Sequence, residues 1–337
     1  MSNSESSKIR GVSVTIPTNL DERLDWLKHR LNFLYKCGHE GEVVVGVWGG
    51  HDKLALLRAF CDGLSPNIKI IVQDGAERFT ARFLELAQAS CGKYILQIGD
   101  DDFLLPASFR ALSELLEKDA SVYCAQGRTF LIDPESQGPN YKLGTLPLWA
   151  APEHDLLTRY ARYFEHPGIL FHAMLRRADF IERMTAMDEI MEHTKNPVWW
   201  EVLGEFFAVI KGRFVILDEV FMLRGFHAES HSLKFKSDKA EEMFPRLLQS
   251  EKFTATYKVF EDRIFKLFAS RGVDVTAYET REIILAGILG YIGASAFRVK
   301  WPHSPEEENL KMVVRQMPMH PVVDRILQLV HATRVPA

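Results

Sequence analysis

The chain is sparing with the residues that usually announce a function. Four cysteines, Cys37, Cys61, Cys91 and Cys124, stand in 337 residues without a CxxC pair or a Cys/His metal spacing. That excludes a disulfide framework or a cysteine-rich zinc module and predicts reduced thiols. Long apolar runs are scarce too. The longest, "IILAGILGYIGASAF" at 283 to 297, is rich in small residues and too short to span a membrane, so it reads as a buried or interface helix. There is no basic excess: 41 Lys and Arg face 45 Asp and Glu, for a net charge of -4 and a pI near 6.3. Nothing offers the clustered positive charge that nucleic acid requires. The opening "MSNSESSKIR" lacks the apolar core of a signal peptide and reads as a flexible tail over residues 1 to 10. These absences predict a cytoplasmic globular protein with no transmembrane segment and no nucleic-acid partner. Contact with the inner face of a membrane through peripheral helices stays compatible with them.

What the chain does have is hydrophobic mass, 47% of its residues, set out in alternating periods. Short β-rich runs at 11 to 18, 41 to 50, 68 to 75 and 93 to 99 are separated by helical patterns at 21 to 37, 52 to 63 and 78 to 90, the last closing at Gly92 as a left-handed cap. A helix from 106 to 118, a strand from 121 to 126, helices around 153 to 165 and 177 to 193, and a strand at 213 to 224 follow. Runs that are apolar at consecutive positions suit strands covered on both faces. The repeating β-α-β order therefore predicts an α/β domain with a mostly parallel sheet flanked by helices. From about Phe235 the pattern is helical, which divides the chain into the tail, an α/β domain at 11 to 234 and a C-terminal helical region at 235 to 337. The small-residue row Ala286, Gly290 and Ala294 suits close helix packing, either within the chain or as a homodimer seam.

In such sheets ligands lie beyond the carboxyl ends of the strands. The segments there are "PTNLDER", "WGGHDK", "QDGAER" and the aspartates of "YILQIGDDDFLLP", Asp100, Asp101 and Asp102. Adjacent carboxylates repel one another, so a cluster at a strand end calls for a cation. Mg²⁺ or Mn²⁺, which take oxygen ligands and keep positions open for phosphate, fit that chemistry. The competing reading makes Asp102 the N-cap of the helix that follows.

Three motifs in order, "VSVTIPTNLDERLDWL", "CGKYILQIGDDDFLLP" and "GRFVILDEVFMLRGFHAESHS", carry a resemblance. The chain resembles glycosyltransferase family 2, nucleotide-sugar transferases of the GT-A fold, over residues 11 to 232. The resemblance implies a metal-dependent inverting transfer of a sugar from a nucleotide-diphosphate donor to a hydroxyl acceptor: a glycan such as a surface polysaccharide, a lipid-linked glycan or a protein. It makes Asp100, Asp101 and Asp102 the metal and donor cluster. Alignment on Pro106 favours the last two, and DxD spacing favours Asp100 with Asp102. Pro17 and Thr18 would shape the loop under the nucleobase, near Asp21 or Arg23. Arg78 and Arg82 would face the nucleotide, Arg224 would neutralise phosphate, and His227, with His231 as the weaker choice, would reach the metal. Counting back from Gly212 reaches Glu201 as the catalytic base, with Trp199 and Trp200 as an apolar wall or a face for a sugar ring, unless they are core aromatics.

The chain also departs from the family. Where relatives carry an acidic Asp-Asp-Gly-Ser-Thr-Asp segment after the second strand, it has "VWGGHDK", leaving Asp52, with Asp74 as a substitute reader of the nucleobase. Two further classes compete: a sugar nucleotidyltransferase, whose Gly-rich N-terminal loop is absent, and a noncatalytic sugar-nucleotide or glycan-binding module.

Overall fold

Asn19 ends the first strand and caps the first helix, its side-chain oxygen accepting from the Asp21 N–H at 3.1 Å. Asp21 and Glu22 in the first turn and Lys36 in the last complement the helix dipole. The computed structural model describes residues 11–75, 78–132, 144–145, 150–165, 170–195, 197–225 and 252–297. In chain order the elements are β1 (Val12–Asn19), α1 (Leu20–Lys36), β2 (Val43–Trp48), α2 (Leu54–Leu64), β3 (Ile68–Val72), α3 (Phe79–Ala89), β4 (Tyr94–Gln97), β5 (Phe103–Leu104) and α4 (Phe109–Lys118). They continue with β6 (Val122–Ile132), β7 (Gly144–Thr145), α5 (Leu156–Glu165), β8 (Met174–Arg176), α6 (Arg177–Thr194), α7 (Pro197–Lys211), β9 (Arg213–Gly225), α8 (Lys252–Ala269) and α9 (Tyr278–Phe297).

The strands form one sheet in the order β3-β2-β1-β4-β8-β6-β9-β5, with β7 on β6. From β3 to β4 every pairing is parallel, as the β-α-β reading expected. Beyond β4 the short β8 runs antiparallel to both neighbours, and β6 and β9 pair in parallel again. Chain order reverses at β1, whose neighbours are β2 and β4, so β1 and β4 flank the point where an α/β sheet opens a crevice at its carboxyl edge.

Two apolar layers cover the sheet. On one face Leu27, Leu31, Leu57, Phe109 and Leu112 of α1, α2 and α4 pack on Val14, Val45 and Leu96. On the other, α3 and α5 to α9 share a single cluster that includes Phe83, Tyr160, Phe180, Trp199, Phe206, Phe260 and Ile288. Arginines tie the helices down through carbonyls their C-termini leave over. Arg159 donates to Val209 and Ile210 of α7, Arg176 to Leu116 in the last turn of α4 and Asp119 just after it, and Arg177 to Gln88 in the last turn of α3 and Ser90 just after it. No helix among the described residues is long and apolar enough to cross a membrane.

Gly92 is not the cap that the sequence suggested. α3 ends at Ser90 in an extended conformation, and Gly92 serves a close approach instead: a Cβ there would lie 2.5 Å from Ser13 Oγ and 2.9 Å from the Gly11 carbonyl.

Candidate functional site

The three aspartates occupy a turn, closed by the Asp102 N–H reaching back to the Gly99 carbonyl at 3.4 Å. The turn joins β4 to β5. Asp102 does not cap the next helix: Leu105 precedes the 3₁₀ turn at Pro106–Ser108, and Ser108 precedes α4. Each aspartate is held by a different element. Thr18 at the end of β1 donates to Asp100 at 2.7 Å, across the β1/β4 boundary where the sheet order reverses. The Asp101 carbonyl accepts from Arg30 Nη2 of α1 at 3.0 Å. Asp102 accepts from the Gly225 N–H at the end of β9 at 3.2 Å, and a Cβ on Gly225 would come within 2.4 Å of the Asp101 carbonyl, so only glycine lets β9 close on the turn.

Burial pushes the Asp100 carboxyl up against the pull of Thr18 and Arg23. The fully buried Asp102 is pushed well above the ordinary carboxylate range, first by desolvation and then by Asp101, with Arg224 and the Gly225 N–H opposing. His172 joins them from the segment before β8. Its Nδ1–H donates to the Gln97 carbonyl at 3.0 Å, and its Nε2 stands 3.9 Å from Asp102 Oδ2. Burial lowers its pKa to about 4, so the ring is neutral.

Glu201 lies in the first turns of α7, beside the buried Trp200. Its side chain reaches solvent, yet protein crowds it closely enough that desolvation, followed by the charge of Glu205, pushes its carboxyl up to about 7 while Arg224 pulls down. Arg224 stands beside Gly225 at the end of β9, and its charge favours the ionised forms of Asp102 and Glu201 and the neutral form of His172. Trp199 offers no face to a sugar ring: it is 0% exposed and stacks on Phe260 of α8 at 4.8 Å. Both tryptophans belong to the core: Trp200 is buried as well and packs on Phe79 and Phe171.

The remaining sequence candidates divide. Pro17 is buried in β1 opposite Gly46. Asp52 is exposed in a 3₁₀ turn, and Asp74 faces His51 at 3.5 Å after β3. Arg82 lies over the Trp48 ring at 4.1 Å, a second cluster along the same carboxyl edge, since Trp48 pairs with Asn19 next to Thr18. Arg78 is not brought to the aspartates. It makes a two-pronged pair with Asp188 of α6, at 2.8 and 2.6 Å, because it precedes α3 where that helix docks on α6. His227 and His231 lie outside the described residues. Among the described residues, no group of three or more His, Cys, Asp or Glu side chains is gathered as a metal site.

The glycines of "VWGGHDK" explain that segment's departure from an acidic motif in part. Gly49 and Gly50 have φ of 66° and 54°, and a Cβ on Gly49 would strike Asp21 Oδ2 at 2.4 Å, so this turn is built for backbone passage.

Searches by sequence are silent: no family model and no curated protein matches the chain. Solved structures do match. The crystal structure of S. aureus TarS residues 1–349 in complex with UDP-GlcNAc superposes with a TM-score of 0.50 at 15% identity, covering 96% of this chain and 90% of that one. The chain has the GT-A fold. The UDP complex of the same TarS fragment is also similar, with a TM-score of 0.43 at 15% identity, 96% of this chain and 90% of that one. TarS is a GT-A-type glycosyltransferase, and the expected fold class is therefore the observed one.

Arg30, His172, Glu205 and Trp48 belong to none of the three sequence motifs. Arg30 and Glu205 carried a signal, since each is a charge inside an apolar helical face, Arg30 among Leu27, Leu31 and Leu34 and Glu205 between Leu203 and Phe206. His172 carried none, because only the fold sets it against Asp102.

Proposed function

We propose that the chain is a nucleotide-sugar glycosyltransferase that transfers its sugar, with inversion, to a hydroxyl acceptor. The observation that carries this reading is the aspartate turn at the β1/β4 crevice of a GT-A fold, tied to β1 through Thr18 and to β9 through the Gly225 N–H. Acidic groups gathered at that edge, with Arg224 next to Gly225 on β9, suit a diphosphate held through positive charge beside a general base. Glu201 takes the proton from the acceptor hydroxyl. The acceptor oxygen then bonds to the anomeric carbon on the face opposite the diphosphate, the bond to the diphosphate oxygen breaks, and a nucleoside diphosphate leaves. A carboxyl near 7 is matched to that task, because it is partly ionised at neutral pH and basic enough to accept the proton.

The residues also suit a divalent cation. Asp100 and Asp102 are desolvated carboxyls that a positive charge would relieve, and Mg²⁺ or Mn²⁺ needs only one or two carboxylates when phosphate oxygens complete its shell. When bound, such an ion supplies stabilisation of the charge that develops on the leaving diphosphate. Asp101 and His227 remain candidates for the same ion. Uridine diphosphate sugars are the first donors to test, since TarS was solved with UDP-GlcNAc.

The test is calorimetric titration with a panel of nucleoside diphosphates, with Mn²⁺ and with chelator, repeated on Asp102→Asn. Metal-dependent binding of one nucleotide, weakened at least about tenfold in the variant, is expected for the loss of one charged ligand. Absence of nucleotide binding in every condition would overturn the reading.

A further inference from the structure

Glu205 stands one helical turn after Glu201 on α7, inside the apolar layer, with only 7% of its surface exposed. Its two oxygens are engaged from different elements: the Tyr163 hydroxyl of α5 donates to one, and the Leu170 N–H donates to the other at 3.0 Å. Donors on both oxygens favour the ionised carboxylate. The bond to Leu170 also fixes the segment that leads to His172. The Leu170 carbonyl accepts from Arg183 at 3.4 Å and from the Ala173 N–H at 3.2 Å, so the turn carrying His172 is pinned at both ends.

We propose that Glu205 is a positioning residue for the base: its carboxylate, locked by Tyr163 and Leu170, sets a fixed negative charge one turn behind Glu201 and makes Glu201 a stronger proton acceptor. The inference rests on Glu201 being the base. Of the elements packed on α7, β9 presents Arg224, α6 presents Arg183 against Gly204, α5 presents Tyr163 and Arg159, β6 presents Tyr123 and Cys124, and α8 presents Phe260 and Tyr257. Burial holds Tyr123 and Cys124 in their neutral forms. After desolvation, the charges that move Glu201 are Glu205, which raises it, and Arg224, which lowers it.

Glu205→Gln keeps the shape and an acceptor for the Leu170 N–H while removing the charge. Two readouts apply: the ¹³C carboxyl titration of Glu201, assigned with Glu201→Gln, and the acid limb of UDP-GlcNAc turnover with water as acceptor. We expect both midpoints to fall by about one pH unit in Glu205→Gln, with nucleotide affinity unchanged, and to return in Glu205→Asp. If Glu205→Gln does not fold, Glu205→Met carries the test, because it removes the same charge with a side chain of similar length that suits the apolar layer and should lower both midpoints by the same amount. Unmoved midpoints in the folded variants overturn the proposal while leaving Glu201 as the base. Undiminished turnover in Glu201→Gln overturns the base reading, and this proposal with it.

Discussion

At the scale of single residues, ionisable groups in this protein are set by what surrounds them. Glu201, pushed up to about 7 by desolvation and Glu205, must be ionised to serve as the proposed base. Turnover should therefore climb as pH rises through about 7 and level off above 8, and Glu201→Gln should lose about 10²- to 10⁴-fold in kcat with nucleotide affinity intact. A pH-rate profile and a nucleotide titration on the same variant check both. His39 carries the opposite shift for a structural reason. Buried between Tyr35 and Phe109 with Nε2 3.4 Å from the Glu42 carbonyl, it is lowered to about 4. A ring neutral when folded and protonated when unfolded contributes stability that is complete above about 6.5 and is lost as pH falls toward 4, on the order of 3 kcal/mol for this site. Urea denaturation at pH 7 and 4.5 should show that loss, and His39→Gln should flatten it only in part, because His172 is lowered in the same direction. The aspartate cluster was legible in the sequence because chemistry and strand-end position coincide there. His172 was not, since its partners Gln97 and Asp102 are 75 and 70 positions away along the chain.

Elements were legible in proportion to their length and periodicity. β1 to β4 and the helices between them follow from consecutive apolar runs and caps, and their ends fall within a few residues of expectation. β5 and β8 span only Phe103–Leu104 and Met174–Arg176, too few residues for a period to show, and they exist because β9, β4 and β6 offer them edges. The same logic governs how α1 holds the aspartate turn. The Arg30 guanidinium lies 3.5 Å from the centre of the Phe103 ring and 4.9 Å from that of Trp26 while donating to the Asp101 carbonyl. A planar, forked guanidinium stacks on the rings while it donates, and an ammonium, a compact point charge, has no face to stack. Arg30→Lys should cost about 2 kcal/mol in denaturant unfolding and weaken nucleotide binding several-fold. Unchanged affinity in a destabilised variant would confine Arg30 to holding the fold.

At the scale of the molecule, the site depends on a core that extends into the C-terminal helices. α8 and α9 contribute Phe260, Ile264, Phe268, Ile284 and Ile288 to the cluster that holds α5, α6 and α7, so the helix bearing Glu201 and Glu205 is backed by residues from the last third of the chain. Their contact is close at one point. The fully buried Tyr160 donates to the Ile284 carbonyl at 2.8 Å, and a Cβ on Gly287 would lie 2.3 Å from its ring. The small-residue row at Ala286 and Gly290 is not what packs there: Ala286 is exposed, and a Cβ on Gly290 would meet open space. The two glycines should therefore respond in opposite directions to one substitution. Gly287→Ala should destabilise by about 1–3 kcal/mol, because the tethered ring cannot withdraw and α9 must lift from α5. Gly290→Ala should stabilise by up to about 1 kcal/mol through helix propensity. If one core supports both regions, unfolding by circular dichroism should stay a single transition in each variant, with the Glu201 titration surviving intact up to it. A separate early transition in Gly287→Ala, with that titration unchanged beyond it, would show that α8 and α9 do not support the site.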